Sequence, residues 1–201
     1  MKELLIGTHN KHKTEEIARL LKDLPLAIKD LSRFPQIAPV EEDGDTLLEN
    51  AVKKAKYYSE KTGLMTLADD TGLEVDALNG EPGVKSARYA GDHCSYQDNN
   101  LKLLQALSGA KNGDRTAHFK CVIACYDPKT KGLKTAEGKI TGRILASPRG
   151  RNGFGYDPVF YMPELKKTLA ELSMEEKNTV SHRALAVLKM KDILKTQCER
   201  S

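Results

Sequence analysis

The sequence contains no tryptophan, and aromatic residues make up only 5% of it. Surfaces that hold single-stranded nucleic acid stack bases on exposed rings, and no such platform is evident here. Charge does not supply one either. The formal net charge is only +4, and lysines alternate with acids, as from Lys11 to Glu16 and Lys53 to Glu60. No stable nucleic-acid partner is expected, although a small polyanion would fit. No apolar run approaches the ~18 residues that span a bilayer. Met1 to Gly7 reads as a short first strand rather than a secretion signal, so a cytoplasmic protein without membrane contact is expected. The four cysteines, at 94, 121, 125 and 198, form no CxxC pair and have no histidine at zinc-ligand spacing. Buried reduced thiols are the expectation. Repeats, low-complexity segments and linkers are also missing, so residues 1–201 are read as a single domain or two tightly joined lobes.

What is present is a mixture of strand and helix patterns. Leu4-Leu5-Ile6-Gly7 reads as a strand, and the spacing of Ile17, Leu20, Leu21 and Leu24 predicts a helix over 11–24, closed by Pro25. Residues 33–45 read as loop. A second helix starts at the capping-box pair Thr46 and Glu49, buries Leu47, Ala51, Ala55 and Tyr58, and ends at Gly63. Met65 to Ala68 is a buried strand leading straight into Asp69-Asp70-Thr71-Gly72, and Leu73, Val75 and Ala77 alternate as a further strand. Ser95 opens a helix to Leu107. Residues 115–126 and 133–145 form a predicted hairpin, and a last helix over 179–197 buries Ala186, Val187, Met190, Ile193 and Leu194. This mixture predicts an α/β fold with a mixed sheet flanked by helices.

Several segments could carry chemistry. Thr8 to Thr14 lies between a strand and a helix, where free N–H groups attract phosphate and Lys13 adds a point charge. The second glycine of a P-loop is missing, so the Walker spacing fails. A plain capped helix with Asn10 as its N-cap is the alternative. Asp69-Asp70 follows an apolar strand, a usual ligand position in open α/β sheets. Adjacent buried carboxylates there need a cation or donors. Magnesium, which takes hard oxygen ligands, would suit them, with Glu41 or Glu42 supplying a further carboxylate. A turn and a solvated acidic loop use the same residue types. Asn50 and Lys54, one helical turn apart, could face the same site. Phe154 between Gly153 and Gly155 leaves a thinly screened ring suited to stacking on a nucleobase, or one tucked into the core, with Asp157 as an acceptor. Lys177, Ser181, His182 and Arg183 gather donors at the start of the last helix.

Five blocks in this order resemble the inosine triphosphate pyrophosphatase family. They are T-H-N-K-H-K at 8–13, E-E-D-G-D-T-L-L-E-N-A-V-K-K-A at 41–55 and the long A-D-D-T-G block at 68–91, followed by G-F-G-Y-D-P-V-F at 153–160 and E-K-N-T-V-S-H-R-A at 176–184. The resemblance implies an elongated mixed sheet in two lobes with a central cleft, a homodimer, and Mg²⁺-dependent hydrolysis of ITP, dITP or XTP to the monophosphate and pyrophosphate. It implies that Thr8, Asn10 and Lys13 hold the triphosphate, in a substrate-binding segment shared with His9, Lys11 and His12. Glu42 and Asp70 would ligate the metal, and Asp70, with Asp69 beside it, would be the catalytic acid–base. Lys54 and Thr71 would contact substrate; Thr71 stands where serine is commoner. Phe154 would stack on the base, with Gly155 and Tyr156 beside it. Asp157, Lys177, Ser181, His182 and Arg183 would shape the base and phosphate end of the pocket. Donors aimed at the purine 6-position would favour a keto oxygen over the amino group of adenine. The rival readings are a related pyrophosphatase for pyrimidine or modified nucleotides and a non-catalytic nucleotide- or RNA-binding module.

Overall fold

The computed structural model describes residues 2–110 and 114–199, with side chains through 196; the Cys198 side chain lies outside the described residues. Eight strands and five α-helices are described. The first half holds β1 (Lys2–Ile6), α1 (Lys11–Leu21), β2 (Leu26–Asp30), α2 (Leu47–Thr62), β3 (Met65–Val75), β4 (Pro82–Gly83) and α3 (Tyr96–Ala106). The second holds β5 (Thr116–Asp127), β6 (Gly132–Ile144), β7 (Phe160–Met162), β8 (Lys167–Thr168), α4 (Met174–Val180) and α5 (His182–Glu199). The strands form one open sheet in the order β2-β1-β3-β5-β6-β7-β8, with β4 beside β3. β1 runs parallel to β2 and β3, whereas β3/β4, β6/β7 and β7/β8 are antiparallel, so the sheet is mixed. None of the described helices is long and apolar enough to cross a membrane.

The chain divides into two compact units. The first takes the chain through Asp70, Cys121–Gly138 and the chain from Arg183; the second takes Thr71–Lys120 and Lys139–His182. In the first unit the two-residue period of the strands sorts side chains to two faces. Leu4 and Ile6 of β1, Leu67 of β3 and Cys121, Ile123 and Cys125 of β5 pack with Ile17 and Leu21 of α1 and Val187 and Met190 of α5. The residues between them turn the other way, to α2. Ala68, Val122 and Ala124 meet Ala51 and Ala55, and Leu5 meets Tyr58. The second unit buries Leu73, Val75, Leu103, Ile144, Val159 and Phe160, with the rings of Phe119 and Phe160 4.8 Å apart.

The expected helix starts are present. Thr46/Glu49 and Ser95/Asp98 close capping boxes, and Gly63 ends α2 at φ 71°. Elsewhere the structure differs from the sequence reading. α1 stops at Leu21, and Leu24, still buried, belongs to the turn into β2, a five-residue strand that the sequence reading missed. β3 does not break at Asp69-Asp70-Thr71-Gly72 but runs through it to Val75, and Ala77 falls in a 3₁₀ turn. Turn chemistry is overridden because buried cations meet the two carboxylates, as described below. The last helix is two: α4 ends at Ser181, which is extended at ψ 156°, and α5 begins at His182. Ile193 is half-buried, and Cys94 is partly exposed, unlike Cys121 and Cys125, whose thiols are buried.

Gly142 in β6 leaves no space for a side chain: a Cβ there would sit 2.5 Å from the Tyr161 carbonyl oxygen and 2.7 Å from the Phe160 ring. Gly142→Ala should therefore destabilise the protein by roughly 1–3 kcal/mol, the usual cost of overpacking, read as a lower urea midpoint with unchanged slope.

Candidate active site

In the first unit the period of β3 gives its two adjacent carboxylates different surroundings. Asp69 falls in register with Leu67, on the face covered by α1 and α5; Asp70 falls in register with Ala68, on the face covered by α2. Asp69, 0% exposed, meets Lys13 Nζ of α1 at 3.0 Å and Arg183 Nε of α5 at 3.2 Å. Arg183 also pairs with the buried Glu16. Burial opposes ionisation of Asp69, but Lys13, Arg183 and Lys54 outweigh it and hold the carboxyl far below the ordinary range. The same balance keeps Arg183 charged: burial acts against it, and Asp69 and Glu16 prevail.

Asp70, 5% exposed, accepts a hydrogen bond at Oδ1 from Lys54 Nζ at 3.0 Å. Its Oδ2 is buried with no hydrogen-bond partner among the described residues. Here burial prevails, with Glu42 adding to it against Lys54 and Lys13, and the carboxyl is raised above its usual range. Lys54 Nζ also donates to Glu42 at 3.0 Å. Burial opposes the charge on Lys54, but Asp70, Glu42 and Asp69 keep it protonated. Glu42 thus belongs to this cluster, whereas Glu41 is exposed.

The acidic loop is held by Asn50. Its Oδ1 accepts from Gly44 N–H at 2.8 Å, and a Cβ on Gly44 would sit 2.8 Å from that oxygen. Asn50 therefore clamps the loop that carries Glu42. At the start of α1, His12 and Lys13 N–H donate to Asn10 Oδ1 at 3.0 and 3.3 Å, and Asn10 N–H donates to Thr8 Oγ1 at 3.2 Å. Asn10 is thus an N-cap. Lys11 and His12 are exposed, and His9, also exposed, lies edge-on to Tyr58.

The second unit holds the other expected residues. Phe154 lies between Gly153 at φ 74° and Gly155 at φ 62°, left-handed conformations that favour glycine. The turn folds around Asp157, whose Oδ2 accepts from Phe154 N–H at 2.9 Å and from Lys177 Nζ at 2.6 Å. A Cβ on Gly153 would lie 2.1 Å from that oxygen. Lys177, from α4, stands 4.9 Å from the Phe154 ring centroid, within cation–π range. Tyr156 donates its hydroxyl proton to the Ser86 carbonyl at 2.9 Å, so it anchors the turn. His182 stacks on Phe119 at 4.4 Å and 10°, and Ser181 caps α4 through its N–H to the Lys177 carbonyl at 2.9 Å. Thr71 is half-buried where β3 enters this unit.

The structure brings Lys13, Asp69 and Arg183 together, Glu42, Lys54 and Asp70 together, and Phe154, Asp157 and Lys177 together. Arg183, expected among the substrate donors, has its guanidinium on Asp69 and Glu16, because two buried carboxylates are its nearest charges. The sequence reading missed Glu16. Its signal was a glutamate next to Ile17, on the buried side of the Ile17/Leu21 stripe.

The model of the Ham1 family matches residues 4–193. The dITP/XTP pyrophosphatase of Thermoanaerobacter sp. (strain X514) is 50% identical over 197 residues, covering 98% of each chain. That of Geobacter sulfurreducens is 50% identical over 194 residues, covering 96% of this chain and 97% of the relative. Among solved structures, a HAM1 protein from Coxiella burnetii superposes with a TM-score of 0.89 at 41% identity, covering 98% of this chain and 100% of the other. The Staphylococcus aureus Ham1 protein gives 0.86 at 40%, with the same coverage.

Asp69 is depressed by folding, so its stabilising contribution is complete above its unfolded value of ~3.9 and fades as pH falls towards its folded value. Asp69→Asn should remove about 3–5 kcal/mol at neutral pH. Urea unfolding across the acid range should also show a shallower loss of stability below about pH 4 in the variant than in the wild type.

Proposed function

The chain belongs to the Ham1 family, and on that premise we propose that it hydrolyses purine nucleoside triphosphates carrying a non-standard base, ITP, dITP or XTP, to the nucleoside monophosphate and pyrophosphate. The observation that carries the reading is Oδ2 of Asp70, buried with no hydrogen-bond partner among the described residues, beside a lysine shared with Glu42. An acceptor of this kind costs roughly 1–3 kcal/mol if nothing ever meets it, and a hard cation meets it well.

The donor set fits Mg²⁺, which takes one or two carboxylates and completes its shell with waters and substrate phosphates. Glu42 and Asp70 would hold the ion, whose charge would offset that of the phosphate oxygens. Lys54 and Lys13 contribute fixed positive charge towards the phosphates, with Thr8 and Asn10 at the same end, on the segment that carries His9, Lys11 and His12. Asp70 orients the water that attacks the α-phosphorus and takes its proton as the bond to the departing pyrophosphate breaks. Asp69, held ionised by Lys13 and Arg183, positions those cations rather than taking the proton.

In the second unit Phe154 stacks on the base. Asp157, Lys177, Ser181 and His182 give that end its polar character, and Gly155, Tyr156 and Thr71 complete the substrate-binding set. The working form is a cytoplasmic homodimer, which sedimentation of the pure protein tests directly.

Incubation with ITP, XTP, ATP, GTP and dTTP plus Mg²⁺ should give fast release of pyrophosphate from ITP and XTP. Preference for dTTP, or release of inorganic phosphate, overturns the proposal. Asp70→Asn should lower kcat by about 10²–10⁴-fold, the range of a lost acid–base group. By calorimetry without nucleotide it should also weaken Mg²⁺ binding, and wild-type Mg²⁺ affinity in this variant would remove Asp70 from the metal site.

A further inference from the structure

Phe154 is held by more than its own turn. The carbonyl of Gly155, which follows it, accepts a hydrogen bond from Asn100 Nδ2 of α3 at 2.9 Å. One turn earlier on the same face of α3, Tyr96 sets its ring beside that of Phe154, with centroids 5.9 Å apart and planes tilted by 43°. The helix is itself firmly seated. Ser95 and Asp98 form its capping box, and Asn99, pointing elsewhere, accepts from Ala90 N–H at 2.7 Å and donates to the Ala87 carbonyl at 3.1 Å.

Asn100 is poorly suited to packing alone. It is 8% exposed, and its Oδ1 is buried with no hydrogen-bond partner among the described residues. A leucine there would avoid the roughly 1–3 kcal/mol that a buried unmet acceptor costs. Flipping the amide would set oxygen against the Gly155 carbonyl oxygen, so the donor end is fixed by its partner. What the amide gains is control of one peptide group, the one that joins Gly155 to Tyr156. Gly153 and Gly155 are both left-handed and lack the side chains that would limit rotation about the turn. The other ties grip different points: Asp157 holds Phe154 N–H, and Tyr156 holds Ser86. Stacking depends on ring plane and overlap, so holding the turn one residue beyond Phe154 bears on base affinity.

We propose that the Tyr96–Asn100 face of α3 is a positioning element for the base: it fixes the peptide after Gly155, on the C-terminal side of the Phe154 turn, and buttresses the ring on which a purine stacks. This rests on the stacking role of Phe154 given above. The test compares wild type, Asn100→Asp (nearly isosteric, without the amide donor), Tyr96→Ala and Asn99→Ala. Tyr96 is 43% exposed, so its truncation leaves the core intact and keeps the test decisive if Asn100→Asp fails to fold. For each, kcat and KM are measured with ITP and Mg²⁺, together with inhibition by pyrophosphate, which has no base.

Asn100→Asp and Tyr96→Ala should raise KM for ITP by about 5- to 50-fold, the scale of a base–aromatic stack, with kcat little changed and pyrophosphate inhibition unaltered. That split marks lost binding at the base rather than a damaged fold. Asn99→Ala should lower the melting temperature without raising KM. Wild-type KM in folded Asn100→Asp and Tyr96→Ala overturns the inference, and so does pyrophosphate inhibition that weakens in step with KM. A wild-type enzyme that leaves ITP intact overturns the proposed function instead.

Discussion

Two aspartates side by side in the interior of a sheet would ordinarily disrupt a strand, and the first unit is organised around the cations that prevent it. Lys13 of α1 and Arg183 of α5 neutralise Asp69, and Lys54 of α2 neutralises Asp70. A buried ion pair gains little stability over an apolar one, but removal of one partner leaves a charge stranded in a low-dielectric interior. Each helix that packs on β3 near these residues must therefore bring a positive side chain to a fixed point. α1, α5 and α2 are tied to the strand by charge as well as by the apolar clusters of Leu67 and Ala68.

The same arrangement divides labour between neighbours of identical chemistry. Asp69 takes both Lys13 and Arg183 at Oδ2 and stays ionised, whereas Asp70 shares its lysine with Glu42 and is the one raised above the ordinary range. Their environments, set by which face of the strand each lies on, push the two in opposite directions. The acidic loop reaches Lys54 only because Asn50 grips Gly44, where a side chain would not fit. The second unit solves a different problem, the support of an aromatic ring on a glycine-flanked turn. It does so with one carboxylate, Asp157, that accepts from both the Phe154 backbone N–H and Lys177.

Much of this was legible in the sequence because it depends on local rules. The capping pairs Thr46/Glu49 and Ser95/Asp98, the Asn10 cap, Gly63 at the end of α2 and the buried stripes each follow from neighbours a few residues apart. The five motif blocks carried the family. Three-dimensional packing decided what local chemistry gets wrong. Asp69-Asp70-Thr71-Gly72 has the composition of a turn, yet it is strand, because cations from residues 13, 54 and 183 meet carboxylates that a turn would have given to water. Lys177 to Arg183 reads as one helix start, yet the extended Ser181 splits it, leaving Lys177 to Asp157 and Arg183 to Asp69 and Glu16. Asn100 carries no local signal at all, since its partner lies 55 residues away. Periodicity and capping act over one or two turns of chain and so are written in the sequence itself, whereas the pairing of a buried charge or amide depends on which distant segment arrives beside it.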